Sequence, residues 1–107
     1  MTTHDELPKH YIGGNVYAKE WQGKAGTAIQ QHSHNYDHLS YLAHGKVLVE
    51  VEGKAAFEAA GPTGLLIKAN KQHKITALSD CLWLCIHAIP SDLQTDLDAE
   101  DYLIDRN

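Results

Sequence analysis

Between Val16 and Ile89 the chain falls into short runs of β-type residues, broken by Gly, Pro, Asn and Asp at intervals of about ten, with no helical stretch between them. This spacing is the mark of an all-β sandwich or barrel. It predicts eight strands: Val16 to Gln22, Thr27 to His32, His38 to His44, Lys46 to Glu52, Lys54 to Ala59, Gly64 to Ile67, His73 to Leu78 and Leu82 to Ile89. In the clearest of them Val47, Val49 and Val51 share one face and Glu50 and Glu52 the other, with a turn at Gly53. Gly61-Pro62-Thr63-Gly64 gives a second turn signal. At 107 residues the chain has room for one domain, 1–107, with its core over about 16–89. Residues 1–15 read as an N-terminal arm. The segment 90–107 reads as an acidic end in which Ser91 to Tyr102 has helical spacing, capped by Ser91.

The net charge of −5 sits in that end. Residues 1–91 carry eight acidic and eight basic side chains, whereas 92–107 carry six acidic and one basic. A neutral body with an acidic end lacks the clustered Lys and Arg that a phosphate backbone requires, so nucleic acid is not an expected partner. No apolar run approaches the ~20 residues of a membrane-spanning helix, and a membrane role is not expected. Met1 to Glu6 has neither the basic nor the apolar part of a secretory signal, which makes the cytoplasm the expected location. Cys81 and Cys85, four apart on one strand, would have Cα atoms ~13 Å apart and cannot bridge each other. Two reduced, buried thiols are expected.

The chemistry lies in the histidines. His32, His34 and His38 share one parity within seven residues, and His73 stands on a later strand. Strand residues two apart point to the same face about 6 to 7 Å apart, which lets two imidazoles converge on one ion at ~2.1 Å. A single histidine is more often a surface or carbonyl-bonded group, but three of the same parity in an all-β chain favour a metal. Gln30, Ser40 and Leu42 share that parity and are candidate pocket walls. On the last strand the mixed set Trp83, Cys85 and His87 is favoured to line the cavity, because the aliphatic set Leu82, Leu84 and Ile86 suits a subunit interface. His87 is a candidate acid or base or a structural histidine. Lys68, Lys71 and Lys74 read as solvated loop and edge lysines.

These residues resemble the cupin superfamily of small jelly-roll barrels. Gly26, His32, His34, His38 and Gly45 stand at the positions of the first cupin motif, with His38 where Glu is usual. The second motif is kept only at His73. Lys68 replaces Pro, Ala77 replaces Asn, and Asn70 replaces a Gly, a substitution eased by the readiness of Asn to enter the left-handed region. The likeness covers roughly Val16 to Ile89 and is similar to that of the four-histidine cupins. It implies a jelly-roll β-barrel in which His32, His34, His38 and His73 hold one divalent ion, Fe(II) or Mn(II) first, with Ni, Cu or Zn as further candidates. It also implies a homodimer.

Four neutral imidazoles leave the charge of such an ion uncompensated and two positions of an octahedron open, which suits dioxygenation of a small oxygenated substrate. The leading expectation is a dioxygenase-type oxidoreductase. A non-redox isomerase or lyase would need a proton-moving base, and no inward carboxylate stands near the motif. A small-ligand or metal-binding barrel without catalysis is the third reading.

Overall fold

A computed structural model describes residues 9–31, 35–90, 92, 93 and 95. Among the described residues there are nine strands: β1 Lys9–Gly13, β2 Val16–Gly23, β3 Ala28–Gln31, β4 His38–His44, β5 Lys46–Val51, β6 Phe57–Ala60, β7 Thr63–Ile67, β8 His73–Ala77 and β9 Cys81–Ala88. They form two antiparallel sheets, one ordered β1-β2-β9-β4-β7 and the other β3-β8-β5-β6. The described residues contain no helix. The architecture is the all-β double-sheet jelly roll that the strand spacing and the resemblance imply.

Each sheet turns one face inward. On the first, Trp21, Trp83 and Leu42 lie side by side in register, and Gly23 pairs with Cys81 below them. On the second, Val47 pairs with Ala77 and Val49 with Ile75, as the alternation along β5 requires. These residues, with Ile67 and Cys85, make the core. Trp83, Leu42, Val47 and Ile75 are wholly buried. The β4–β5 turn at Gly45 and the β8–β9 turn meet at one end of the barrel, where Leu78 N–H and Ser79 N–H both donate to Lys46 carbonyl. His38 and His73 open their strands, and His87 nearly closes its own, at the opposite end.

Three expectations need correction. Residues 9–13 are not an arm but the edge strand β1, joined to β2 by the two-residue turn Gly14-Asn15, in which Gly14 has φ 58°. A two-residue Gly-Asn connection is a hairpin turn, because its positive φ matches the twist of the flanking strands. The fifth predicted strand begins late, at Phe57 rather than Lys54, because Gly53 at φ 78° opens a turn and the chain pairs with β5 only from Phe57. The turn read at 61–64 is confined to Gly61-Pro62, with β7 already under way at Thr63. The helix expected over Ser91 to Tyr102 lies outside the described residues, apart from Asp92, Leu93 and Thr95. Leu93 N–H donates to Pro90 carbonyl in a turn there.

Candidate metal centre

His73 is 3% exposed on the inner face of β8. Its Nδ1 lies 3.0 Å from Lys71 carbonyl, which can only accept, so Nδ1 carries a proton and in the neutral ring the lone pair is on Nε2. That is the tautomer of a metal-ligating imidazole, which gives its other ring N–H to a carbonyl or carboxylate and is oriented by that bond. The connection leading to it is held in place. Asn70 adopts the left-handed conformation, φ 62°, that its place in the motif requires. Ala69 N–H donates to Asp37 Oδ1 at 2.7 Å, and Gln72 N–H donates to Glu52 Oε1 at 3.1 Å. The Ala69 bond holds the Asp37 carboxyl below its usual range, against a smaller opposing effect of desolvation and with help from Lys68 Nζ at 3.6 Å. Asp37 immediately precedes His38, so one carboxylate ties the start of β4 to the loop that carries His73.

His38 is 5% exposed. Ser40 and Leu42 follow it on the same inner face, both fully buried. On β9 it is Trp83, Cys85 and His87 that turn inward, whereas Leu82, Leu84 and Ile86 are half-buried on the outer face. Ser40 pairs with Cys85 across the ladder, and its hydroxyl donates to Cys85 Sγ at 3.9 Å. Both thiols are reduced and buried, and burial pushes the Cys81 thiol up, so it stays protonated. His87 stacks on His38 with ring centroids 4.4 Å apart and planes at 29°.

His32 and His34 lie outside the described residues. The chain reaches them from Gln31, the last residue of β3, whose Cα pairs with that of His73. Gln30 pairs with Lys74 on that ladder, and its side chain is not among those described. Among the described residues no three metal-ligating side chains converge, so the expected ligand set depends on His32 and His34. The donor chemistry of the two described members fits a metal: both are buried imidazoles at one end of the barrel, and His73 holds the ligating tautomer. Lys71 and Lys74 are exposed; Lys71 lies in the loop before β8, but Lys74 is not an edge lysine, because β3 and β5 pair with β8 on both sides.

Several residues at this end are absent from the sequence reading. Tyr36 Oη meets His87 Nδ1 at 3.4 Å. Tyr17, 1% exposed, stacks on the other side of His87 at 6.2 Å, and its hydroxyl meets His10 Nδ1 at 2.7 Å. Tyr17, Ile89, Ile12, Tyr36 and Leu93 form a second small core beside the histidines. For Tyr36 there was a local signal, since it shares the parity of His34 and His38. For His10 there was none, because nothing in Lys9 to Gly13 announces a strand whose side chain reaches Tyr17.

No family model matches the chain, and no curated protein matches it in sequence. Solved structures do. An RmlC-like cupin protein from Desulfovibrio desulfuricans is 22% identical, with TM-score 0.67 over 78% of this chain and 82% of that one. A cupin superfamily protein from Desulfitobacterium hafniense is 14% identical, with TM-score 0.66 over 83% and 84%. An RmlC-like cupin from Methanocaldococcus jannaschii, described as a double-stranded β-helix, is 11% identical, with TM-score 0.67 over 85% and 93%. The chain therefore has the cupin fold. No helix among its described residues is long and apolar enough to cross a membrane.

Proposed function

We propose that the chain is a divalent-metal-binding cupin and a dioxygenase-type oxidoreductase, with His32, His34, His38 and His73 holding one Fe(II) or Mn(II) ion and a small oxygenated compound as substrate. The observation that carries this reading is His73, buried beside the end of β3 with its Nδ1 proton committed to Lys71 carbonyl and its lone pair on Nε2. When bound, such an ion supplies Lewis acidity and a redox-active centre. The chain's own residues do the rest. Leu42 and Trp83 close the barrel beneath the histidines and exclude water, while Ser40 and Cys85 occupy the rung between them.

Elemental mass spectrometry on protein purified without a metal-affinity tag is expected to find close to one divalent ion per chain, and that ion is expected to be lost in His34→Ala. Wild type that cannot be loaded with Fe(II), Mn(II), Cu(II), Ni(II) or Zn(II) overturns the reading. Loaded protein should then consume O₂ with one member of a panel of enolic and phenolic compounds.

One observation favours a second reading, a non-redox isomerase or lyase. Tyr36 Oη and His87 Nδ1, 3.4 Å apart, supply the proton-moving pair that the sequence lacked in carboxylate form. Turnover under strict anaerobiosis separates it from the oxygenase.

We propose a second copy of the chain as partner, docked on the outer face of the five-stranded sheet. Tyr11, Ala18, Ile86, Leu39 and Leu66 lie in register in one row across all five strands, and Leu84 and Tyr41 adjoin it. Leu39 is 47% and Leu66 57% exposed, a cost to an isolated chain. Five strands at ~4.8 Å spacing and ~20 Å length, corrugated by these side chains, offer an area of the order of the ~800 Å² that a stable pair buries per partner. Light scattering should give a dimer that Leu39→Lys with Leu66→Lys converts to folded monomer; a monomeric wild type removes the proposal.

A further inference from the structure

Four rings lie nearly parallel across the inner face of the larger sheet, one from each of four adjacent strands. His10 on β1 stacks on Tyr17 on β2 at 5.9 Å and 9°. Tyr17 stacks on His87 on β9 at 6.2 Å and 24°, and His87 stacks on His38 on β4 at 4.4 Å and 29°. The column is pinned at its outer end by the 2.7 Å contact between His10 Nδ1 and Tyr17 Oη. Tyr36 meets His87 edge-on at 75°, its hydroxyl on Nδ1. His87 thus has a ring on each face and a third against its edge, and His38 is the member at the metal end.

We propose that His87 is a positioning residue for the metal centre: its ring, clamped by Tyr17 and Tyr36, fixes the plane of His38 and so orders that ligand before the ion arrives. The inference rests on the metal-binding reading above. A side chain that must be immobilised on binding subtracts from affinity, and one already held in place does not. Hydrogen-bonded outer partners of metal-ligating histidines are typically worth about 10- to 100-fold in affinity, and a ring that fixes the plane of the ligand by stacking is expected to act on the same scale. Removing the ring should cost an amount in that range, while removing only its nitrogens should cost little. The hairpin β1–β2 is then part of the metal site, although His10 lies outside the stretch that carries the cupin-like motifs.

The test is titration of the metal-free protein with Co(II), reading affinity from a competing chelator and ligand geometry from the visible absorption bands, on wild type, His87→Ala and His87→Phe. The expected result is a loss of about tenfold or more with altered bands in His87→Ala, and near-wild-type affinity and bands in His87→Phe, which keeps a flat ring between Tyr17 and His38. Equal affinity in all three proteins overturns the proposal. So does a His87→Phe variant as weak as His87→Ala, since that result assigns the effect to the imidazole nitrogens. A wild type that binds no Co(II) fails at the metal reading itself, a separate outcome. Circular dichroism of the metal-free proteins establishes that each is folded, and His87→Tyr replaces His87→Phe if that variant is not.

Discussion

Trp83→Ala is expected to cost about 3–5 kcal/mol, the largest loss from any single truncation in this barrel. Trp83 is the bulkiest wholly buried side chain among the described residues, and it stands within β9 with Trp21 beside it in register on one strand and Leu42 on the other. Its removal opens a cavity at the centre of the larger sheet, and Val49 and Ile75 cannot fill that cavity without moving the opposing sheet. Against a total stability of about 5–15 kcal/mol, a loss of this size leaves a marginal protein. Thermal unfolding followed by circular dichroism should fall by roughly 15 °C or more. Trp83→Phe is expected to lose far less. Among the described residues the indole Nε1 finds no hydrogen-bond acceptor, so phenylalanine forfeits packing volume but no protein hydrogen bond. An alanine variant melting within a few degrees of wild type would mean that the two sheets do not close on Trp83.

The central strands were legible because their two faces differ in chemistry. Val47, Val49 and Val51 face one way while Glu50 and Glu52 face the other, and a period of two can be satisfied only by a strand with one buried face. Asn70 was legible because so few side chains tolerate its backbone, and its φ of 62° follows. Strand β1 was not legible. Lys9, His10, Tyr11, Ile12 and Gly13 lie at a sheet edge where neither face is fully buried, so selection for burial leaves no strong alternation to read. Only the Gly14-Asn15 turn betrays the hairpin. The aliphatic run on β9 posed a different difficulty: both of its faces are apolar, because one meets the core and the other forms part of an exposed apolar row. Periodicity cannot rank two such faces, and only the mixed chemistry of Trp83, Cys85 and His87 marks them as the inner set.

The site divides in the same way. Spacing along one strand gives parity, and parity suffices to group His38 with Ser40 and Leu42. Strand order is a property of the whole sheet. That β9 lies between β2 and β4, so that His87 reaches both Tyr17 and His38, follows from a pairing of residues some 50 to 70 positions apart that no local pattern records.

Gly45→Ala separates the two costs that a glycine can hide. Gly45 has φ 94°, and its carbonyl accepts from Gly61 N–H at 2.9 Å, so the turn cannot relax without breaking that bond. A Cβ built there would stand 2.6 Å from Cys81 Cβ and 2.7 Å from Cys81 Cα, with Asp80 carbonyl also in its way. Left-handed strain costs an L residue about 1–2 kcal/mol, and forcing a methyl into filled space adds about 1–3 kcal/mol. The sum, about 2–5 kcal/mol, should appear as a lower urea midpoint with an unchanged slope. Gly53→Ala is the control. Its φ is 78°, but nothing lies within 4 Å of the new methyl, so only the strain remains. Equal midpoints for the two variants would show that the β8–β9 turn yields to the methyl. Because Gly45 sits at the end of the barrel opposite His38 and His73, the proposed metal site predicts that the folded fraction of Gly45→Ala binds Co(II) as wild type does. A parallel loss of affinity would mean that the closed end of the barrel sets the geometry of the open one.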